Sequence, residues 1–374
     1  MITNPILEFT KLLSRSSEML SIDIGFKNIK VVLAHRRLND TIKISKLIIE
    51  PITFEIGEDV NAKIEKILKR ILEDNEIVHR DAKLVVSQGI SIMSKAIYID
   101  GQDISAIEQK VFRELEKKSI KEIGSQKLIY NIVGKIGRYL KVMITILPDN
   151  LNGMYLDLME KVSINPVALD LPFYSIARFF SDFSNYSEIA DYRDDAVAVI
   201  DLGGKTTTLC IFNNGVLDFC RVLLLGGENL DGVIAARLGI NTAVAEEFKK
   251  TYGLVDQFLN PMIIPDYSNN VCIFQEDEIV KTVSKCSRIF AKELMVNLEK
   301  SIDVYVNKCG GVPISKILLI GGGSALKGLK SFVEEVMDKP VYTVEHFEFA
   351  GMEFDEKVEK GEMRYFISAI GSII

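Results

Sequence analysis

Histidine and cysteine are both scarce in this chain of 374 residues. The three histidines (His35, His79, His346) lie far apart, so a zinc centre would need scattered ligands, and ordinary surface histidines are expected. The five cysteines (Cys210, Cys220, Cys272, Cys286, Cys309) form an odd set without a CxxC spacing, which points to free thiols in a reducing compartment rather than a disulfide framework. No stretch reaches the roughly 18 uncharged apolar residues of a membrane span. The N-terminus lacks the basic start and unbroken apolar core of a signal peptide. An excess of basic charge is also missing: at a net charge of −7, nucleic acid is not among the expected partners. The first residues do place Ile2, Ile6, Phe9 and Leu13 at helical spacing, with Lys11 and Arg15 among them. A helix packed on the protein's own body is expected there, with a weak membrane-surface helix as the alternative.

What is present is an ordinary globular balance, 48% hydrophobic and 26% charged, in a chain long enough for two or more domains. Residues 22–33 read IDIGFKNIKVVL and residues 200–211 read IDLGGKTTTLCI, so Asp23, Gly25 and Lys27 match Asp201, Gly203 and Lys205 at one constant offset. Each copy is an apolar strand, a glycine-containing turn and a second strand, and such a repeated hairpin implies two structurally related halves. In the first, strands are predicted at 20–24, 29–35, 41–49 and 82–87, with a helix at 58–75 burying Ile64, Leu68, Ile71 and Leu72. In the second, strands at 196–202, 206–212 and 216–225 precede helices at 229–238 and 242–252, a long helical stretch at 277–308 and a strand at 316–321. Hairpins followed by strand–helix alternation predict an α/β fold of mixed sheets with helices on their faces.

Residues 90–164 break the pattern. A strand at 91–99, a helix carrying Ile104, Ile107, Val111 and Leu115 after Asp103, strands at 126–133 and 138–147 and a helix at 149–162 read as a small inserted α+β subdomain. The expected division is a first half over 1–89, completed by 165–182 and 363–374, the insert over 90–164, and a second half over 196–350. Residues 183–195 connect the halves, and 352–361 are expected to be a loop before a final helix at 363–374.

Two familiar nucleotide motifs are excluded. GGKTTT at 203–208 ends like a Walker loop, but Val199 stands where its first glycine is needed and the run joins two strands. GGGSALKG at 321–328 has Leu326 at the third glycine position of a dinucleotide fingerprint. The glycine-rich turns fit a single cleft better. An Asp-x-Gly turn lets backbone amides approach phosphate oxygens, two facing turns can clamp a triphosphate, and Asp23 and Asp201 can hold a hydrated Mg²⁺. The GGGS turn, before a helix expected at 325–337, supplies a flat backbone surface and a helix N-terminus.

These motifs resemble those of the actin-like ATPase superfamily, and within it the type IV pilus assembly PilM family and the related FtsA cell-division family. The resemblance spans nearly the whole chain. It rests on SIDIGFKNIKVV, VIDLGGKTTTLCIFNNG, RVLLLGGENLD, AEEFKKTYG at 245–253, ILLIGGGSALKGL at 317–329, PVALDLPFYSIAR at 166–178 and the closing YFISAIG. It implies an actin-like (ribonuclease H-like) ATPase fold of two related halves with ATP and Mg²⁺ between them. The insert within the first half suits PilM and FtsA better than actin or Hsp70. FtsA proteins add a membrane-binding helix beyond the final one, so PilM is the expectation. Carried over, the resemblance assigns Asp23, Gly25, Lys27 and Asn28 to the first phosphate turn and Asp201, Gly203, Gly204 and Thr206 to the second. It assigns Glu246 and Lys249 to ribose and adenine, and Gly321, Gly322, Gly323 and Ser324 to an adenine shelf. Glu246 and Lys249 read equally well as a surface salt bridge at i, i+3. Asp170 stands where hydrolysing relatives place a water-positioning residue, the candidate catalytic position, and a capping aspartate before a helix from Pro172 accounts for it equally well. Phe26 replaces the Ser or Thr of the family's first turn, so slow or absent hydrolysis is expected.

The function so implied is a cytoplasmic ATP-binding scaffold of a type IV pilus machine, at the inner face of the cytoplasmic membrane and associated with it through partners. The implied partner is the cytoplasmic N-terminal peptide of a PilN-like membrane protein, with a pilus assembly ATPase and a second copy of the chain as further candidates. Segment 90–164, with Lys135, Arg138 and Lys141, is expected to form with strand 82–87 a groove that takes the peptide as an added strand; the alternative is that it only caps the first half. An FtsA-like filament protein is the second reading. A small-molecule kinase is the third, with no base to offer beyond Asp170.

Overall fold

The computed structural model describes residues 18–37, 41–53, 57–86, 93–100, 109–110, 113, 126–148, 151–180, 196–254, 276–346, 351–358 and 360–374. The N-terminal apolar stripe, most of the helix expected around 104–115 and the connection 183–195 lie outside them. The chain opens on the hairpin β1 (Glu18–Ile24) and β2 (Asn28–Arg36), followed by β3 (Ile42–Pro51). Helix α1 (Val60–Asp74) starts where the Asp59 carboxylate accepts from the amides of Asn61 (2.8 Å) and Ala62 (3.2 Å), two donors that otherwise lack intrahelical partners. Its stripe of Ile64, Leu68, Ile71 and Leu72 is buried as the spacing predicts, with Ile67 beside it. Then come β4 (Asp81–Val86), β5 (Met93–Asp100), β6 (Gln126–Ile136), β7 (Tyr139–Pro148), α2 (Leu151–Lys161), β8 (Asn165–Asp170) and α3 (Pro172–Phe179). The later chain forms β9 (Ala196–Leu202), β10 (Thr207–Asn213), β11 (Val216–Leu223), α4 (Gly227–Leu238), α5 (Thr242–Tyr252) and α6 (Glu276–Asp303). It ends with β12 (Ile314–Ile320), α7 (Leu329–Met337), β13 (Val341–Thr343), β14 (Met352–Phe354) and α8 (Ile367–Ile373).

The repeat in the sequence is a repeat in topology. One sheet runs β14-β3-β2-β1-β4-β8 and the other β11-β10-β9-β12-β13. In both, two antiparallel pairings of consecutive strands are followed by two parallel pairings made through crossovers. Strand β14 falls in the stretch expected to be a loop. Its three residues pair parallel with Ile42, Lys43 and Ile44 and so cover the outer edge of β3, a role too short to leave an alternating pattern. The helix expected at 325–337 begins only at Leu329. Gly322–Ala325 form a 3₁₀ turn, and Gly328 adopts φ +77° against the Leu254 backbone, which interrupts a continuous helix.

Alternate residues of the second sheet face two different cores, which is why its strands read as unbroken apolar runs. Val197, Val199, Cys210, Phe212, Leu318 and Ile320 join the core of the first sheet and of α3 and α8. Ala198, Ile200, Leu202, Leu209 and Ile211 pack under α4, α6 and α7. Phe212 meets Phe180 edge-on at 6.1 Å, so one apolar layer spans both halves. No helix among the described residues is long and apolar enough to cross a membrane.

The insert is a three-stranded sheet, β5-β7-β6, and it is fastened on both sides. Lys141 of β7 is buried and forms an ion pair with Asp218 of β11, whose other oxygen accepts from the Tyr305 hydroxyl at 2.7 Å. Tyr174 of α3 meets Thr145 Oγ1 at 2.7 Å and donates to the Met143 carbonyl at 3.1 Å. Lys141 is therefore not part of a basic outer face with Arg138. Strand β4 lies between β1 and β8 and has no free edge to add a peptide to, in contrast to the expectation for 82–87. Phe212→Ala removes a ring from the shared layer and is expected to cost about 3–5 kcal/mol, read as a shift of the urea midpoint. A loss below about 1 kcal/mol would show that this face is not a well-packed core.

Candidate functional site

The two repeated turns close in the same way. The Gly25 amide donates to the Asn28 carbonyl (3.1 Å), and the Gly203 amide to the Thr206 carbonyl (2.9 Å). Each turn thereby presents an aspartate, Asp23 or Asp201, at the end of the preceding strand. Asp23 stands opposite Lys30 across the hairpin and accepts from its ammonium at 2.8 Å. Asp201 lies close enough to feel both groups. Burial pushes its carboxyl up to about 6, Lys30 opposes the rise and the charge of Asp23 adds to it. Burial works against the Lys30 ammonium, but Asp23 and Asp201 more than offset it and hold its pKa above the usual lysine value. Gly321 presses on this pair: at φ +78°, any Cβ there would clash with Asp201 Oδ1.

The turns also touch each other. Gly204 faces the Lys27 stem so closely that a Cβ would lie 2.6 Å from Lys27 Cγ, and the Lys205 ammonium sits 4.8 Å from the centre of the Phe26 ring. The Lys27 ammonium reaches Glu246 Oε2 of α5 at 2.9 Å and Asp231 Oδ2 of α4 at 3.4 Å. Lys249 pairs with Asp231 Oδ1 at 2.6 Å and donates to the Gly227 carbonyl at 3.3 Å. Glu246 and Lys249 thus sit side by side next to the first turn with partners other than each other, since Lys250 takes the second Glu246 oxygen at 3.2 Å. The first amides of α4 donate to the second turn, Gly227 to the Gly203 carbonyl (3.0 Å) and Glu228 to that of Gly204 (2.8 Å), which locks turn and helix together.

The 321–324 turn borders the same region. Its Gly321 amide donates to the Arg364 carbonyl (2.9 Å), Ser324 Oγ donates back to the Gly321 carbonyl (2.7 Å), and Gly322 leaves room for the Tyr365 ring. Asp170 shares a strand-end layer with Asp23, through Val85 of β4. Its carboxylate is engaged locally: it accepts from the Leu171 amide (2.9 Å) and Ser175 Oγ (2.6 Å) and forms an ion pair with Arg178. Leu171, not Asp170, is the N-cap of α3. Among the described residues, no group of three or more His, Cys, Asp or Glu side chains could hold a metal ion. Asp23 and Asp201 offer only two carboxylates, a number compatible with a hydrated Mg²⁺ but not with a dedicated protein cage.

Lys30, Asp231 and Tyr365 also belong to this region, although none is among the candidates named from the sequence. The first had a signal, since a four-residue turn places Lys30 opposite Asp23 in an antiparallel hairpin. Asp231 was visible only as the last letter of GGENLD, and Tyr365 only as the first letter of the closing YFISAIG.

A family model described as type IV pilus assembly protein PilM matches residues 21–272, well over half of the chain. The chain belongs to the PilM family. A second model, cell division protein FtsA, matches residues 198–370. FtsA of Bacillus subtilis (strain 168) is 26% identical over 162 residues, covering 40% of this chain and 34% of that protein, so the chain spans about a third of this curated relative's length. Among solved structures, a PilM–PilN type IV pilus biogenesis complex superposes with a TM-score of 0.73 at 20% identity, covering 95% of this chain and 97% of the other. The ethanolamine utilization protein EutJ from Carboxydothermus hydrogenoformans follows at 0.52 and 12% identity, covering 99% and 98%. The duplicated sheets are those of the actin-like ATPase fold, and this PilM-family chain is an actin-like protein of pilus assembly.

The raised carboxyl of Asp201 sets a pH dependence. Between about pH 4 and pH 6 the folded protein retains a proton that the unfolded chain has released, so this group makes stability fall as pH rises through that window. Denaturant unfolding at steps from pH 4 to 7 should show a shallower fall for Asp201→Asn. Identical slopes would argue against a buried Asp23–Asp201 encounter.

Proposed function

We propose that this PilM-family chain binds ATP with Mg²⁺ between its halves and works as a nucleotide-responsive scaffold, not as a fast ATPase. The observation that carries the reading is the face-to-face placement of the two repeated Asp-x-Gly turns, joined through Lys27 to the Glu246 and Lys249 helix. The residues fit the ligand's chemistry. Lys30 and Lys249 supply positive charge, the bare backbone at 203–204 and 321–323 permits close approach, and Asp23 and Asp201 can receive a hydrated cation. When bound, Mg²⁺ neutralises phosphate charge. Phe26 lies under Lys205 and offers no hydroxyl, which supports slow turnover. Asp170 stays the candidate water-positioning residue only if it can leave Arg178. In calorimetry, ATP should bind more tightly with Mg²⁺ than without, and Asp201→Ala should abolish binding. Unchanged affinity in that variant, or turnover above about one per second for the unmodified protein, would sink the reading.

The same proposal places the protein in the cytoplasm, at the inner face of the cytoplasmic membrane, recruited by a PilN-like membrane protein as the PilM–PilN complex suggests. The insert supports this with two edge strands, β5 and β6, and with exposed Tyr98 and Tyr139, which share one face of its sheet. A cytoplasmic N-terminal PilN-like peptide would pair along one edge and anchor on these side chains. Because Lys141 and Thr145 tie the insert into both halves, point substitutions test this better than deletion. Tyr98→Ala with Tyr139→Ala should weaken binding of a fluorescent PilN-like peptide about tenfold or more, with the urea midpoint preserved. Undiminished binding would move the groove away from the insert.

A further inference from the structure

Lys27 bridges the two halves. Its carbonyl accepts from the Ile52 amide at 2.7 Å, which fixes the turn against the first half. Its stem lies on Gly204, and its ammonium ends on α4 and α5 of the second half, between Asp231 and Glu246. Burial works against that ammonium, yet Glu246, Asp231 and Glu228 hold its pKa above the usual lysine value. The partner carboxylates are committed to match. Asp231 is almost wholly buried, and neither of its oxygens has a partner with hydrogen-bond geometry, so the two lysines are its neutralising contacts. Glu246 has one oxygen on Lys27 and the other on Lys250.

We propose that Lys27 is a tethered cation that latches the first phosphate turn to α4 and α5, and that a nucleotide enters by displacing it from Glu246. The idea rests on the nucleotide reading of the cleft for its second part only. A ribose hydroxyl reaching Glu246 Oε2 must replace an ion pair, so binding is an exchange of partners and not the filling of a ready acceptor. Asp231 is then a positioning residue, keeping Lys249 in place whether or not Lys27 is engaged.

Lys27→Met keeps the stem on Gly204 and removes the charge. In the full chain without nucleotide, amide hydrogen exchange at 203–206, 226–231 and 242–252 should become about fivefold faster. Mg-ATP should bind about fivefold tighter in calorimetry, the size of one half-exposed ion pair no longer to be broken. Unchanged exchange overturns the latch. Faster exchange with weaker Mg-ATP binding overturns the displacement and makes Lys27 a phosphate ligand instead. If neither protein binds Mg-ATP, the nucleotide reading fails, and the exchange data alone still decide whether Lys27 joins the halves. Glu246→Gln breaks the pair from the other side and gives the same exchange readout should Lys27→Met fold poorly.

Discussion

Asp23 and Asp201 become neighbours because each ends the first strand of a duplicated hairpin, and the two hairpins meet turn to turn. Burial and the neighbouring charge of Asp23 both oppose ionisation of Asp201. Lys30 relieves the conflict by hydrogen-bonding to one and acting electrostatically on both. The surrounding backbone is shaped by this encounter. Gly321 must lack a side chain to lie against Asp201, and its amide reaches across to the 364 carbonyl, which brings Tyr365 onto the adjoining glycine. A site built on such a charge conflict is sensitive to any cation or polyanion that enters it.

Polar and apolar contacts divide the work of joining the halves. The Phe180–Phe212 layer and the packing of α8 beside α3 form a permanent, close-packed connection, with Gly371 set directly on the Ser175 backbone. Around the turns the connections are ion pairs and a cation–π contact, which rearrange at a smaller cost than a core does. The halves are thus joined by close packing on one side and by exchangeable polar contacts at the turns. Lys141 and Tyr174 connect the insert to β11 and α3, so a change at the turns that moves the second sheet has a physical route to the insert.

Much of this architecture was legible beforehand. The matching turns at 23–28 and 201–206 implied related halves, and the two sheets share one strand order because the same strand–turn–strand pattern seeds each. Period-3.6 burial located α1 to within two residues at its start. Elements whose existence depends on a distant surface were harder. Strand β14 forms because β3 has an open edge, and α7 starts late because Gly328 meets Leu254.

Fold class, duplication and the glycines and aspartates at the turns could be read along the chain, because they depend on local propensity and on a pattern repeated within it. Which charges neutralise which depends on how distant elements pack. Lys27 and Glu246 are 219 positions apart, and their pairing exists only once two sheets have packed. The same holds for Lys141, basic in the sequence but buried against Asp218, and for Asp170, whose carboxylate is engaged by Arg178. A carboxylate's identity is written in the chain. Its partner is set by packing, since an ion pair forms wherever folding leaves opposite charges within a few ångströms and partly shielded from water.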